Sequence, residues 1–190
     1  MSVIVAVKEN GVVYMGADTQ TSAGKIKYNF INETEYKIKR LDNGVLIGFC
    51  GSVAAEQVIS KDIFTLDEDG RLTKAHIVKE IIPKLIDKMG QIGEIEKGEM
   101  NVSALIAHNE ALYRINSNLD VIKLNENGKA GSGLYYVDYA LSLKDLPVRE
   151  RILKALVESA RRTDTVSGPF ILIDTKNKTY EIVDMGGENY

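Results

Sequence analysis

The first place where this sequence could do chemistry is a hydroxyl residue directly behind the initiator, Met1-Ser2, followed by the β-branched run Val3-Ile4-Val5. Met-Ser is also an ordinary way for a chain to begin, so Ser2 alone distinguishes nothing. The remaining chemical groups narrow what a serine could do. Only two histidines occur, His76 and His108, and neither accompanies a Gly-x-Ser-x-Gly elbow, which argues against a Ser-His-Asp triad. No His/Cys grouping has zinc spacing, and the glycines form neither a phosphate-cradling Walker loop nor a dinucleotide fingerprint. No metal and no cofactor is expected. The segment "TLDEDGRLT" puts Asp67, Asp69 and Gly70 at positions three, five and six of a calcium loop, but His76 then stands where a bidentate glutamate is needed, so it reads as a turn. Hydrolysis by this chain would need a base other than imidazole. A free α-amine is one candidate, because its ordinary pKa of about 7.7–8.0 leaves part of it unprotonated at neutral pH.

The size and composition set the frame. At 190 residues the chain fits a single domain, residues 1–190, able to bury a core without disulfides or metals. The 24 basic and 27 acidic residues leave a net charge of −3 with both signs interspersed, so no nucleic-acid partner is expected. No apolar run is long enough to span a bilayer and no signal-like segment leads the chain, which predicts no membrane association and a cytoplasmic location. The one cysteine, Cys50, fits a reducing compartment and is expected to be a small buried hydrophobe.

Several elements must position any site. Val3–Val7 and Val12–Ala17 flank Asn10-Gly11, the signal of a tight hairpin turn. Tyr36–Leu41 and Val45–Cys50 form a second hairpin about Asp42-Asn43-Gly44, and Ser52 can cap a helix reaching about Phe64. Helical spacing of Ile77, Ile81, Leu85 and Ile86 predicts a helix from Thr73 to about Met89, bent or limited by Pro83. The glycine- and glutamate-rich stretch Gln91–Met100 reads as a surface loop. A strand meander follows over Val102–Ala107, Ala111–Asn116 and Val121–Leu124. Gly131-Ser132-Gly133 then leads into an aromatic helix near Leu134–Leu143, and a longer helix spans Pro147–Arg162. A final hairpin is expected over Phe170–Asp174 and Thr179–Asp184. Strand runs alternating with helix pairs indicate a layered α+β domain in which helices cover sheets.

Five pieces of the sequence, "SVIVAVKENGVVYMGADTQTS", "YKIKRL", "IGFCGSVAAEQ", "AGSGLYYV" and "RRTDTVSG", occur in the order and near the spacing found in proteasome catalytic β subunits and their bacterial relative HslV. The chain resembles this N-terminal nucleophile hydrolase superfamily over nearly its whole length. The resemblance implies a four-layer α-β-β-α sandwich and a self-compartmentalising peptidase. Its subunits would form a homo-oligomeric ring around a chamber, which an ATPase unfoldase ring would feed with peptide or unfolded protein. The helices would supply the subunit contacts, with Tyr135, Tyr136 and Tyr139 at a ring interface or packed within the helix pair.

The resemblance also assigns roles. Ser2, freed by removal of Met1, would be the nucleophile and its own α-amine the base. Asp18 lies where the family holds an aspartate and Lys37 where it holds a lysine, the cation that would ease alkoxide formation at Ser2. Gly51 would donate its N–H to the oxyanion. Ser132, Asp164 and Ser167 would hold the amine and a water, and Phe49 would floor an apolar, shallow substrate pocket. Taken singly, each has an ordinary explanation: an exposed strand lysine, a turn acid, a helix cap, an acid at a helix end. The chain departs from the family in having Ser for the usual Thr nucleophile, Val3 where many relatives carry a second Thr, and Pro169 where a second Gly is common. Two other functions fit the same resemblance: an inactive ring-forming scaffold subunit, and an amidase acting on a small-molecule amide.

Overall fold

The structure, a computed structural model, describes residues 2–23, 26–29, 32–58 and 60–184. Met1, and with it the expectation about its removal, lies outside the described residues. The strands are β1 (Val3–Glu9), β2 (Val12–Asp18), β3 (Gln20–Ala23), β4 (Ile26–Asn29), β5 (Ile38–Arg40), β6 (Leu46–Gly51), β7 (Ile95–Glu96), β8 (Glu99–Met100), β9 (Val102–His108), β10 (Ala111–Ile115), β11 (Val121–Lys123), β12 (Asn127–Gly131), β13 (Phe170–Asp174) and β14 (Glu181–Val183). Two five-stranded antiparallel sheets result, ordered β12-β1-β2-β13-β14 and β11-β10-β9-β6-β5.

Three apolar layers hold these sheets and their helices together. Along β1 the side chains alternate, as strand geometry requires. Val3, Val5 and Val7 face Val137 and, on the helices Asp138–Ser142 and Val148–Arg162, Leu141, Ile152, Ala155 and Leu156. Ile4 and Ala6 face the second sheet, meeting Leu46, Leu105 and Ala107. On the far side of that sheet, Ile47, Phe49, Ala104 and Ile106 pack on Ile77, Ile81 and Leu85 of the helical run 74–91. The order helix, sheet, sheet, helix is the four-layer α-β-β-α sandwich. Burial on both faces explains why β1 reads as an unbroken apolar run.

Four local expectations need correction. The helix after Ser52 is short, Val53–Gln57, although Ser52 does cap it by accepting the Ala54 N–H at 3.2 Å. Beyond it, the Ser60 carbonyl takes the N–H groups of Ile63 and Phe64, turning both side chains into the core, where each is at most 1% exposed. The supposed loop 91–100 contains the hairpin β7–β8, closed by Lys97-Gly98, both at positive φ as a tight two-residue turn requires. The strand β12 and the hairpin β3–β4 were not expected at all. Sequence "NGKAG" has poor strand propensity, yet it pairs with β1 from Val3↔Gly131 to Val7↔Asn127. A side chain at Gly128 would press on Leu105 and Leu124, so close packing demands the glycine that propensity disfavours. The helical run 74–91 takes a wide π turn at Ile77–Ile81, directly ahead of Pro83, whose ring would otherwise clash with the carbonyl four residues earlier. Among the described residues no helix is long and apolar enough to cross a membrane.

Candidate active site

Ser2 sits at one end of the sandwich, where the first sheet delivers three chain segments and the second delivers two. It leads into β1, with the end of β12 on one side (Val3↔Gly131) and the end of β2 on the other (Ile4↔Ala17). The approach from β12 is tight. Gly131 adopts a φ of +95°, and any Cβ there would run into the Ser2 carbonyl. That geometry requires glycine. From the second sheet, the residue before β5 is Lys37 and the last residue of β6 is Gly51; the Lys37 carbonyl accepts the Phe49 N–H at 3.0 Å.

These elements bring Asp18 and Lys37 together. Lys37 Nζ lies 2.8 Å from Asp18 Oδ2, with the two side chains 2% and 0% exposed. The other carboxylate oxygen, Oδ1, accepts the Val3 N–H at 2.9 Å, so the acid is bonded to the residue next to Ser2. The lysine also donates to the Gln20 carbonyl. Burial pushes the Asp18 carboxyl above its usual pKa, while the Lys37 ammonium, its hydrogen bond and the Val3 N–H pull it down. A buried pair of this kind is tolerated only because hydrogen bonds occupy the remaining lone pairs and protons. Neither residue is the exposed strand lysine or turn acid that its sequence neighbourhood alone allowed.

The opposite flank of Ser2 is made of hydroxyls. Ser132 Oγ donates to the Ser2 carbonyl at 3.5 Å and meets Thr165 Oγ1 at 3.2 Å; Thr165 Oγ1 in turn meets Thr163 Oγ1 at 2.8 Å. Gly133 N–H also donates to the Ser2 carbonyl, at 3.3 Å. Ser132 opens a 3-10 turn rather than capping a regular helix, and Gly133 is fixed by Ser159, whose hydroxyl donates to the Gly133 carbonyl at 3.0 Å.

The remaining candidates are placed differently. Asp164 is exposed and enters the network through its main-chain carbonyl, which accepts Gln20 Nε2 at 2.9 Å and Lys27 Nζ at 2.6 Å. Ser167 Oγ donates to Asn29 Oδ1 at 3.4 Å, and its carbonyl accepts the Thr19 N–H. Thr165 thus occupies the contact to Ser132, and sequence reasoning had passed over it in favour of its neighbours. Gly51 ends β6 exposed, with a φ of +143° and no room for a Cβ beside the Asn101 carbonyl. Phe49 is buried behind this end of β6. At 1% exposure it packs edge to face on Phe64, with ring centres 6.0 Å apart, inside the layer between sheet and helix. Side chains alternate along β6, and position 49 faces that interior, in the same apolar cluster as Ala55 of the short helix after Gly51.

Two further groups lie close enough to feel these charges. Cys50 is buried, and burial pushes its thiol up to about 12, in keeping with a packing role. Glu56, on the short helix after Gly51, is 7% exposed; burial pushes its carboxyl up to about 7, with Lys37 and Lys39 drawing it back. Glu56 lies within the quoted piece "IGFCGSVAAEQ", but the resemblance assigns it no role. Among the described residues no cluster of His, Cys, Asp and Glu could hold a metal ion.

No protein-family model matches the chain. Solved structures do. BPH from Thiobacillus denitrificans in complex with epoxomicin is similar at a TM-score of 0.73 and 17% identity, covering 90% of this chain and 97% of that one. Anbu, an ancestral β-subunit from Yersinia bercovieri, is similar at 0.71 and 14% identity, with 97% and 88% covered. Eukaryotic HslV from Trypanosoma brucei is similar at 0.63 and 16% identity, with 90% and 98% covered. All three are proteasome-like N-terminal nucleophile hydrolases, and the chain has their fold.

Proposed function

We propose that this chain is a subunit of a self-compartmentalising peptidase that hydrolyses peptide bonds with Ser2 as its nucleophile, once Met1 has been removed. The observation that carries this reading is the buried Lys37–Asp18 pair, bonded through Asp18 to the backbone of Val3. A sandwich of this size has no structural need for a buried ion pair, whose desolvation commonly cancels its attraction. A buried cation at the end of the strand that a serine leads into is, by contrast, useful to a developing alkoxide.

In this reading the free α-amine of Ser2 takes the proton from its own hydroxyl, and Oγ attacks the substrate carbonyl. The oxyanion is received by the Gly51 N–H. Collapse expels the amine product, protonated by the same α-amine, and leaves an acyl-Ser2 ester. Water, deprotonated by that amine, then releases the acid. Lys37 favours the alkoxide electrostatically and Asp18 keeps it charged and aimed. Ser132 and the 163–167 turn hold the chain around Ser2. Ring assembly, an ATPase partner, unfolded protein as substrate and a cytoplasmic location belong to the same proposal, supported by the proteasome-like fold.

The test is direct. Intact mass of protein from native expression should fall short of the full chain by one methionine. A β-lactone probe should label Ser2, Ser2→Ala should abolish the label, and gel filtration should give a multimer. Full-length mass with no labelling would favour an inactive scaffold. Labelling without cleavage of any fluorogenic peptide would favour the small-molecule amidase.

A further inference from the structure

Gln20 stands between the two flanks of the Ser2 site. It opens β3 immediately after β2 and Thr19, and it is 4% exposed, an unusual place for a side-chain amide unless its donors are met. Its main-chain carbonyl accepts from Lys37 Nζ. Its side-chain Nε2 donates to the Asp164 carbonyl at 2.9 Å. That carbonyl belongs to the peptide unit leading into Thr165, whose hydroxyl meets Ser132, whose hydroxyl in turn donates to Ser2. A circuit of contacts therefore runs from Val3 to Asp18, Lys37, Gln20, Asp164, Thr165 and Ser132, and back to Ser2.

We propose that Gln20 is a positioning residue that couples the charged flank of the site to the hydroxyl flank, its carbonyl holding the lysine and its amide orienting the turn that carries Thr165. Gln20 lies within the first of the five quoted sequence pieces, but the resemblance assigns it no role. The second donor to Asp164, Lys27 Nζ, is exposed and competes with water, whereas the Gln20 amide is shielded. The shielded bond is the one that fixes the peptide plane. Thr19 adds two anchors nearby, its N–H to the Ser167 carbonyl and its hydroxyl to the Pro169 carbonyl at 2.9 Å, but neither reaches the Thr165 peptide. Because the hold on Lys37 is through the main chain, changing the Gln20 side chain cuts the circuit at one point and leaves the ion pair in place.

The inference rests on Ser2 being the nucleophile only for its catalytic consequence, and two readouts separate the parts. In full-length protein with Met1 removal confirmed by mass, Gln20→Leu and the near-isosteric Gln20→Glu should speed amide exchange over 163–168 about five- to tenfold, the size expected for one shielded hydrogen bond, with β1 unchanged. Both variants should slow β-lactone labelling of Ser2 by about tenfold and move the acid limb of its pH profile. Gln20→Arg, which restores an N–H donor of sufficient reach, should recover most of both. Use of Gln20→Glu covers the case in which the leucine variant does not fold. Exchange at the wild-type rate overturns the proposal, and so does faster exchange with an unchanged labelling rate and pH profile while Ser2→Ala still abolishes labelling. If processed wild-type protein does not label at all, the nucleophile reading fails, and the exchange experiment still decides whether Gln20 orients the turn.

Discussion

The two flanks of Ser2 are built on opposite principles. On one side a charged pair is almost fully removed from water, at 2.8 Å, with the lysine held by two oxygens and the carboxylate by two donors. On the other, partly buried neutral hydroxyls meet one another at 2.8 and 3.2 Å and reach the Ser2 carbonyl at 3.5 Å. The first arrangement has one low-energy geometry, because any displacement strands a buried charge. The second can re-form in several ways, since hydroxyl donors rotate and water can substitute. Rigid electrostatics beside adaptable hydrogen bonding suits a site that must stabilise one developing charge while a proton changes place.

The contrast is easiest to break on the charged flank. Asp18→Leu or Lys37→Met alone should destabilise the fold by about 3–5 kcal/mol, because each leaves the other charge buried and unpaired. The double variant Asp18→Leu/Lys37→Met should cost clearly less than the sum of the single changes. Urea unfolding of the three proteins measures this, and strict additivity would mean that the pair is not coupled.

Glu56 sharpens the same comparison. Its carboxyl is raised to about 7 in the folded chain from an ordinary 4.5, first by burial. The folded state therefore keeps a proton that the unfolded state has lost, and stability should fall as pH rises from about 4.5 to 7. Glu56→Gln removes that dependence. At pH 8 the variant should be more stable than wild type by about 1–3 kcal/mol, and the two should converge below pH 4.5. Melting curves across this range check it, and equal curves at pH 8 would mean that the carboxyl finds a compensating partner.

The smallest effect is expected on the hydroxyl flank. Ser132→Ala should cost at most about 1 kcal/mol, as its two contacts, to the Ser2 carbonyl and to Thr165 Oγ1, are long and replaceable. A larger loss in thermal melting would show that this flank is as tightly specified as the other.

Much of this arrangement was legible before the fold was known. The hairpin at Asn10-Gly11 carries its own turn chemistry, and the unbroken apolar run of β1 already implied burial on both faces. Ser2, Asp18, Lys37 and Ser132 were picked out by motif order, and they converge. Thr165 and Gln20 were not, because each acts through a contact far away in sequence, Thr165 33 residues from Ser132 and Gln20 144 from Asp164; Glu56 was not, because its burial comes from tertiary packing. The face that Phe49 takes was open for a related reason. Strand alternation says that neighbours face opposite ways, but only the position of the helical run 74–91 says which way is inside.

The amino-acid sequence by itself determined the elements whose cause is local: the glycine turns, the apolar stripes of the long helices, the both-sided burial of the first strands. The tertiary structure decided β12, a glycine-rich segment that becomes a strand because β1 offers it a partner, and the end of the helix after Ser52, which gives way so that Ile63 and Phe64 can enter the core. It also decided the charged flank of the site. A lysine becomes a buried cation only when two sheets close over it, and no property of the lysine or its neighbours in the chain contains that fact.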